Sequence, residues 1–311
     1  MYAIIGANGF IGRHLCTLLD QKKIKYKAIS RKKVIGYESV GDINRYTNWD
    51  MVLKNVHTIF HFASKAHVFN INSNQYIESI NEDIKGIKRL AFEASRLGVK
   101  RFIYLSSIKV CGEHTPNMKF FSNLSPQDPK DLYSKSKAKT EIILKKVSNE
   151  TGLEIVIIRP PLVYGPGVKA NFLSLLNLAN NKLPLPLAGI NNKRSIIYVG
   201  NLVDFVYECA LRNEAIGKTF LIADPNPIST SELIRMISIS LNKRIVLFEI
   251  PKIILFLMFF LIGKKNIYNK LFLSLVIDSN DTYKDMNWRP KTSLEEALQV
   301  TAKWYLLKNK E

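Results

Sequence analysis

The sequence predicts an α/β protein built on a doubly wound parallel sheet, with a smaller C-terminal α/β part. Short apolar stretches alternate with longer helical segments through the first half of the chain. Such alternation is typical of parallel strands covered by crossover helices. A glycine-rich loop directly after the first apolar stretch, and a change of character after residue 160, are the other two observations.

The elements of the first half follow this pattern in order. The predicted strands are 2–5, 25–29, 57–64, 101–106 and 153–160, and the long predicted helices are 75–97 and 131–149. Pro160, Pro161 and Pro166, together with paired glycines, then mark the departure from the sheet.

The loop after the first strand has the sequence GANGFIG, with glycines at positions 6, 9 and 12. Glycines at this spacing let the backbone turn tightly and approach a pyrophosphate, which then lies at the N-terminus of the following helix. The motif is specific here because a strand precedes it and a helix follows. Residues 1–165 are therefore predicted to be a dinucleotide-binding Rossmann domain. Residues 166–311 are expected to bind the substrate, with residues near 193–225 returning to the Rossmann domain.

The end of the second strand bears on which dinucleotide is bound. An NAD-selective site usually has an acid here for the ribose 2′-hydroxyl, whereas an arginine accommodates a 2′-phosphate. This chain has Ser30 and Arg31 and no acid, which favours NADP(H), with NAD(H) and a plain surface role for Arg31 as the alternatives. Asp42 and Ile43, after a glycine, suit contacts to the adenine.

The third strand ends in small residues, so Ala63 and Ser64 can lie beside the cofactor. The candidate cofactor-binding residues are Gly6, Asn8, Gly9, Phe10, Ile11, Gly12, Ser30, Arg31, Asp42, Ile43, Phe62, Ala63, Ser64, Asn81, Tyr133, Lys137 and Pro160.

Neither a metal site nor a disulfide framework is predicted. His57, His61 and His67 lie on or near the third strand without accompanying acids, so we expect them to be structural. The three cysteines are far apart and form no CxxC pair. A cytoplasmic protein is expected, because free cysteines fit a reducing compartment and a strand beginning at Tyr2 leaves no room for a signal peptide.

One set of residues predicts catalysis. Tyr133 and Lys137 are four residues apart in a predicted helix, which places both side chains on one face. An ammonium beside a phenol favours the phenolate and lowers the pKa of the tyrosine, so that it can exchange a proton with a sugar or alcohol oxygen. Ser107 ends the preceding strand, where its hydroxyl can share that proton. Because this set follows a dinucleotide loop, the chain is predicted to be an enzyme.

The chain of 311 residues has a formal net charge of +19. Much of this charge is dispersed over helix faces and turns, as on an ordinary solvated surface. The other two interpretations are steering of an anionic substrate such as a nucleotide sugar, and attraction to an acidic membrane face. Nucleic-acid binding is not expected, because no basic and aromatic interleaving marks a docking element.

Residues 253–262 are ten consecutive apolar residues between lysines. Ten is too few to span a bilayer, which takes about 20 residues. The segment is expected to be a buried helix of the C-terminal part. The alternative is an interfacial anchor with Lys252, Lys264 and Lys265 at the lipid headgroups, giving a peripheral contact with the inner membrane.

Five motifs occur in order along the chain: GANGFIG, SSIKVCGE, YSKSK, RPPLVYGPG and KRSIIYV. With them the chain resembles the extended short-chain dehydrogenases of the NAD-dependent epimerase/dehydratase family over essentially its whole length. SSIKV, VYGPGVKANFL and NWRPKTSLEEAL are similar to the branch of UDP-glucose 4-epimerases and quinovosamine-type 4-keto reductases. The resemblance implies a UDP-sugar substrate and a catalytic set of Ser107, Tyr133 and Lys137.

The resemblance has further implications for the substrate. Ser107 and Tyr133 would contact the sugar, and Asn171 and Arg194 would contact its diphosphate or uridine. Tyr164-Gly165-Pro166 would shape the cleft beside the nicotinamide. A homodimer paired through the helices 75–97 and 131–149 is expected on the same ground.

The chain also departs from its relatives. Those that eliminate water across carbons 5 and 6 have an Asp-Glu pair directly after the hydroxyl residue, where this chain has Ile108 and Lys109. A 4,6-dehydratase is therefore not expected. Cys111 replaces the tyrosine common before Gly112, and the sequence offers no interpretation of that change.

The expected chemistry is hydride transfer at carbon 4 of the sugar. Tyr133 would handle the proton of the carbon-4 oxygen, Lys137 would tune Tyr133 and hold the nicotinamide ribose, and Ser107 would share the hydrogen bond. Arg31 favours a reductase of a UDP-4-keto-6-deoxy-HexNAc for surface polysaccharide biosynthesis, because NADPH supplies a net reduction. The family branch favours a UDP-glucose or UDP-GlcNAc 4-epimerase as the alternative. A non-catalytic dinucleotide-binding scaffold is the interpretation from another class.

Overall fold

The computed structural model describes residues 1–64, 73–116, 119–181 and 184–308. The strands are β1 Tyr2–Ile5, β2 Tyr26–Ser30, β3 Glu38–Ser39, β4 Thr58–His61, β5 Arg101–Leu105, β6 Glu154–Arg159, β7 Leu162–Tyr164, β8 Ile196–Tyr198 and β9 Thr219–Leu221. The helices are α1 Phe10–Gln21, α2 Asp50–Leu53, α3 Ser73–Arg96, α4 Leu132–Thr151, α5 Ala170–Asn180, α6 Val199–Leu211, α7 Thr230–Ser240, α8 Lys252–Leu261, α9 Lys265–Phe272, α10 Asn280–Asp285 and α11 Leu294–Lys308.

The main sheet has seven parallel strands in the order β3-β2-β1-β4-β5-β6-β9. The chain runs outward from β1 to β3 and returns on the other side of β1 at β4, so the strand order reverses between β1 and β4. Ligands of such sheets bind at the carboxyl ends of the strands beside this reversal. The predicted doubly wound parallel sheet is confirmed.

Side chains alternate between the two faces of the sheet and form a separate core on each face. Ile4 of β1 belongs to the core that includes α1 and α6, whereas Ala3 and Ile5 belong to the core that includes α3 and α4. Because helices cover both faces, the strands must be apolar on both sides, and this is why they are short apolar runs in the sequence.

A side-chain cap and a left-handed glycine fix the two ends of the long helix α4. The carboxylate of Asp131 caps α4 by accepting a hydrogen bond from the Ser134 N–H at 2.7 Å. Gly152 closes the same helix with a left-handed backbone, at φ +74°. The predicted helices 75–97 and 131–149 thus correspond to α3 and α4, with ends shifted by one or two residues.

A third core lies in the C-terminal half, where α5, α7 and α11 pack together beside the small sheet of β7 and β8. The chain also returns to the main sheet, because β9 pairs with β6 at its edge. The division between 1–165 and 166–311, and the return of residues near 193–225, stay predictions.

The apolar run 253–262 forms α8 and the residue after it, but the expected burial of this helix is wrong. Leu255 is its buried residue, whereas Leu257 and Phe260 are half exposed. The apolar composition of α8 fits a buried helix and an exposed one equally well. Within the described residues, no element of the fold covers the outer side of this helix. Among those residues, no helix is long and apolar enough to cross a membrane.

Gly6 is the position where the fold most needs a residue without a side chain. Its φ is +88°, and a Cβ there would lie 2.7 Å from the Ala63 backbone nitrogen.

Gly98 has a similar φ of +81° but nothing within 4 Å, so it is a matched control for backbone strain alone. We expect Gly98→Ala to cost about 1–2 kcal/mol of unfolding free energy, and Gly6→Ala to cost about 1–3 kcal/mol more from overpacking. Urea unfolding measures both, and equal losses would show that Gly6 is not sterically confined.

Candidate active site

The loop between β1 and α1 forms a cradle for a phosphate group. A Cβ on Gly12 would lie 2.2 Å from the Gly6 carbonyl oxygen, so the helix can start against the loop only with glycine there. The Gly9 N–H donates to the same carbonyl at 2.9 Å, which fixes the turn. No side chain caps α1 at Gly9, so the N–H groups at the helix start are left for an anion.

A cavity of about 380 Å³ runs from this loop along the carboxyl ends of β1, β2 and β4. Ten of the predicted cofactor-binding residues line it: Gly6, Asn8, Gly9, Ser30, Arg31, Asp42, Ile43, Phe62, Ala63 and Ser64. The glycine cradle, the free helix N-terminus and the elongated cavity together fit a dinucleotide.

The remaining cofactor candidates lie around this cavity. Phe10 and Ile11 are half-buried in the first turn of α1 and pack against the core. The Pro160 carbonyl follows β6 and accepts a hydrogen bond from the Ile108 N–H at 3.0 Å. Asn81 is exposed on α3 and does not line the cavity, whereas Asp83, two residues further, does.

At the end of β2 the structure pairs Asp42, predicted to contact the adenine, with Arg31, a pairing that the sequence did not indicate. Arg31 lies 3.5 Å from the Asp42 carboxylate, and both side chains are more than half exposed. Asp42 is brought beside the end of β2 because β3 is parallel to β2, so the residues that follow the two strands lie at the same edge of the sheet. The charge facing the ribose is therefore a weak, solvent-exposed ion pair rather than an isolated guanidinium. This weakens the argument from Arg31 for NADP.

Ser64, Tyr133 and Lys137 line a smaller space that adjoins the main cavity and shares Ala63, Ser64 and Asp83 with it. The Tyr133 ring centre is 5.9 Å from the Lys137 ammonium nitrogen. The ammonium donates to the Leu105 carbonyl at 2.8 Å and lies over the Tyr104 ring, 4.6 Å from its centre. The predicted tyrosine and lysine therefore share one face of α4 at the end of β5.

Ser107 follows β5 in an extended conformation and begins a single 3-10 turn over Ile108–Val110. Its hydroxyl oxygen accepts a hydrogen bond from the Lys109 N–H at 3.3 Å. The phenol of Tyr133 is hydrogen-bonded to the Ser64 hydroxyl. Ser64, on the opposite side of the cavity, is thus a partner of Tyr133 that the spacing argument did not identify.

Desolvation decides the protonation states at this site. Burial raises the pKa of Tyr133 to about 12, although its hydrogen bond with Ser64 opposes the rise. Burial lowers the pKa of Lys137 to about 8, and the carboxylates of Glu141 and Asp83 oppose that change. The expected lowering of the tyrosine pKa is therefore wrong for this structure, because burial outweighs the hydrogen bond with Ser64 and the carboxylate of Asp131 raises the pKa further. At neutral pH Tyr133 retains its proton.

His61 ends β4 beneath this site and lines the main cavity. Burial, followed by the Lys137 ammonium, lowers the pKa of His61 to about 3, so the ring is neutral. It stacks on Phe102 with ring centres 5.8 Å apart. His67 lies outside the described residues. Within the described part of the chain, no group of three or more His, Cys, Asp or Glu side chains could hold a metal ion.

A buried ion pair one helical turn beyond Lys137 holds the catalytic segment. The Glu141 carboxylate accepts from the Arg159 guanidinium at 3.0 and 2.5 Å, and both side chains are at least 95% buried. The same carboxylate accepts from the Ser106 hydroxyl at 2.5 Å and from the Gln127 amide at 2.9 Å. The pair therefore joins α4 and β6 to the residue before Ser107.

The same arginine gives Cys111 a structural role. One Arg159 N–H donates to the Cys111 sulfur at 3.3 Å, so the thiol completes the arginine's hydrogen bonds. Burial raises the pKa of Cys111, which keeps the thiol protonated.

Lys109 stands where related dehydratases have an acid, and it ties the catalytic loop to α4. Its ammonium lies 2.7 Å from the Asp131 carboxylate and 3.3 Å from Glu113. Burial raises the pKa of Asp131, but the Lys109 ammonium and the hydrogen bond from Ser134 outweigh burial and hold it below its usual value. Since Asp131 caps the helix that carries Tyr133, Lys109 fixes the loop after Ser107 relative to the tyrosine.

The predicted substrate residues lie on the C-terminal side. Arg194 is partly buried, and its guanidinium donates to the Leu273 carbonyl at 2.8 Å. Burial lowers its pKa. Asn171 is exposed in the first turn of α5. Tyr164 is fully buried against Phe172, with ring centres 4.9 Å apart, so it supports the cleft from behind.

A model of the NAD dependent epimerase/dehydratase family matches residues 2–223. The chain belongs to this family. The resemblance drawn from the motifs is thereby confirmed, and the protein is an enzyme of the extended short-chain dehydrogenase type.

Three relatives illustrate the similarity. A UDP-glucose 4-epimerase of Vibrio cholerae is 35% identical over 315 aligned residues, which cover 98% of this chain and 95% of the relative. An N-acetyl-alpha-D-glucosaminyl-diphospho-ditrans,octacis-undecaprenol 4-epimerase of Escherichia coli O157:H7 is 29% identical over 258 residues, covering 80% of this chain and 74% of the relative. The solved structure of a UDP-glucuronic acid 4-epimerase from Bacillus cereus in complex with NAD has a TM-score of 0.77 at 16% identity, covering 99% of both chains.

The depressed pKa of Lys137 predicts a pH-dependent stability. Between pH 8 and pH 10.5 the unfolded chain keeps a proton on this lysine that the folded protein has released, so the unfolding free energy of the wild type rises with pH. Lys137→Met cannot titrate there. We expect the unfolding free energy of the wild type minus that of the variant to increase by about 3 kcal/mol across this window. Exposed Lys135 on the same helix supplies the control Lys135→Met, for which the difference should stay constant. A constant difference for Lys137→Met as well would contradict the burial of its charge.

The Glu141 and Arg159 pair predicts a large stability loss from a small change. Glu141→Gln removes the charge that balances a buried guanidinium, which costs about 3–5 kcal/mol. The control is Asp128→Asn, whose carboxylate pairs with Lys130 at 2.5 Å with both side chains more than half exposed, and which should cost less than about 1 kcal/mol. Urea unfolding compares the two. Similar losses would show that the buried pair is not the constraint we infer.

Proposed function

We propose that this enzyme interconverts the carbon-4 epimers of a UDP-sugar, with Ser107, Tyr133 and Lys137 as its catalytic residues. The observation that supports this most directly is the convergence of Tyr133, Lys137 and Ser64 around the small space that adjoins the larger cavity. The Vibrio cholerae relative, named a UDP-glucose 4-epimerase and similar over almost the whole chain, supports the reaction class.

The dinucleotide would be held by the glycine loop and by Ser30, Asp42 and Lys137. When bound, it supplies a nicotinamide that takes up hydride from carbon 4 of the sugar and returns it.

The chain's own residues handle the proton. Tyr133 takes the proton of the carbon-4 hydroxyl while the carbonyl forms, and returns it to the same oxygen when the carbonyl is reduced. Because burial keeps Tyr133 protonated at neutral pH, this step requires that Tyr133 first release its own proton to solvent. The nearby Lys137 ammonium would stabilise the phenolate so formed, and the Ser107 hydroxyl would donate a hydrogen bond to the sugar oxygen. Inversion requires the keto sugar to present its other face before reduction, so the substrate is anchored through its diphosphate rather than its sugar.

Arg194 and Asn171 are the proposed diphosphate contacts. The Arg194 guanidinium uses one N–H for the Leu273 carbonyl, which fixes the group and leaves its other donors for phosphate. Both residues also lie in the C-terminal half of the chain, after all the residues that line the dinucleotide cavity. A homodimer formed through α3 and α4 belongs to the same proposal.

A 4-keto reductase of a UDP-4-keto-6-deoxy-HexNAc, for surface polysaccharide biosynthesis, is the second candidate. Two observations favour it. Tyr133 retains its proton at neutral pH, which is the form needed to protonate a ketone oxygen. Arg31 and Lys32 line the adenosine end of the cavity, where a 2′-phosphate would lie, although Asp42 opposes that charge.

The test is product analysis with purified protein. UDP-glucose, UDP-GlcNAc and a freshly generated UDP-4-keto-6-deoxy-GlcNAc are incubated with NAD or NADPH. We expect carbon-4 epimers to form with no net use of dinucleotide, and Tyr133→Phe to lower the rate by about 10²–10⁴-fold while dinucleotide binding is retained. The exposed tyrosine variant Tyr46→Phe is the matched control and should be fully active.

Other outcomes decide against the first candidate. Oxidation of one NADPH for each keto sugar reduced, with no reaction of the other two sugars, would establish the reductase. Arg31→Met should then slow this oxidation of NADPH. Dinucleotide binding without turnover of any of the three sugars would favour a scaffold. Full activity of Tyr133→Phe would overturn the catalytic assignment itself.

A further inference from the structure

α8 presents an apolar surface to solvent. The residues concerned are Ile253, Ile254, Leu257, Met258, Phe260 and Leu261, which range from 46% to 81% exposed. At about 100° per residue they form one continuous stripe that covers about 160° of the helix circumference. An exposed apolar surface of this kind marks a contact with something outside the chain.

The opposite side of α8 is fixed to the protein. Phe256 and Phe259 pack against Tyr268 of α9, with ring centres 5.3 and 6.1 Å apart, and Tyr268 stacks on Phe272 at 4.3 Å. The end of α9 is tied to the C-terminal core, because the Leu271 carbonyl accepts from the Asn192 amide and the Thr230 hydroxyl at 3.0 and 2.8 Å. The exposed stripe is therefore an ordered surface of the fold.

Charge indicates what this surface meets. Residues 250–273 contain four lysines and no aspartate or glutamate. Lys252 precedes the stripe, Lys264 follows it, and Lys270 lies on α9, all three exposed. Lysines at both ends of an exposed apolar helix match the headgroups and the acyl boundary of an anionic bilayer.

A second copy of this chain matches the surface less well. A two-fold contact would bring the same stripe and the same lysines together. The segment has no carboxylate to balance them, and the net charge of +19 adds to the repulsion. An anionic lipid surface supplies both the apolar layer and the opposite charge.

We propose that α8, with the flanking lysines, docks this enzyme peripherally on an anionic lipid bilayer. The ten-residue helix is about 15 Å long, half the thickness of the hydrocarbon layer, so it lies along the interface rather than across it. The docked element is also connected to Arg194. The carbonyl of Leu273, the residue after α9, accepts a hydrogen bond from the Arg194 guanidinium. This inference stands independently of which carbon-4 reaction the enzyme catalyses.

The experiment is flotation of the full chain with vesicles. One set contains three parts phosphatidylethanolamine to one part phosphatidylglycerol, and the other contains phosphatidylcholine alone. We expect the wild type to float with the anionic vesicles and not with the neutral ones, and binding to weaken as salt is raised. Lys252→Gln, Lys264→Gln and Lys270→Gln together should reduce binding by about fivefold for each lysine.

The apolar contribution is tested with a matched pair of double variants. Leu257→Ser with Phe260→Ser should lower vesicle binding at least tenfold, because both side chains would otherwise enter the acyl boundary. Leu124→Ser with Ile239→Ser removes two apolar side chains elsewhere that are more exposed still, at 91% and 72%, and should leave binding unchanged. Both variants should keep the melting temperature and the turnover of soluble substrate, because none of these residues lies in the catalytic set or the cavity.

Three results would overturn the proposal. The first is a wild type that stays unbound with anionic vesicles at low salt. The second is equal loss of binding in the two double variants. The third is a concentration-dependent dimer in lipid-free buffer that is abolished by Leu257→Ser with Phe260→Ser, which would assign the surface to a second copy.

Discussion

The buried pair of Glu141 and Arg159 is the interaction on which the arrangement of the active site depends. It joins helix α4, which carries Tyr133 and Lys137, to strand β6, and through the Ser106 hydroxyl it reaches the segment of Ser107. A charge pair in a dry interior is stable only when each partner keeps its geometry and its additional hydrogen bonds. Gln127 and Cys111 supply those bonds. The proposed catalytic residues Ser107, Tyr133 and Lys137 are thus positioned by contacts that they do not make themselves.

Burial also determines the protonation states of the side chains at the site. Burial of these side chains favours the neutral form of each group: Tyr133 keeps its proton, His61 stays neutral, and Lys137 holds its proton more weakly than a lysine in water. A phenol beside a readily discharged ammonium can exchange a proton with a substrate oxygen in either direction. This property suits both an epimerase and a reductase, and it explains why the geometry alone does not separate them.

The two ends of the chain contribute different kinds of specificity. In the proposed enzyme, the glycine loop and the end of β2 would bind the dinucleotide through backbone groups and an exposed charge pair. The C-terminal half contributes Arg194, and through Leu273 this arginine is joined to the helix pair whose outer surface is apolar and cationic. The proposed substrate contact and the proposed surface contact are therefore supported by the same short segment, residues 271–275.

The sequence by itself determined the features that depend on neighbours along the chain. The glycine loop, the strand and helix order, and the placement of Tyr133 and Lys137 on one helix face all follow from spacing, because backbone geometry fixes them locally. Only the tertiary structure decided the features that join distant residues. Asp42 reaches Arg31 because β3 pairs in parallel with β2, and Glu141 of α4 meets Arg159 at the end of β6. The pKa values of Tyr133 and Lys137, and the exposure of α8, depend on what the fold places around each group, and that is a property of packing in three dimensions rather than of the order of residues.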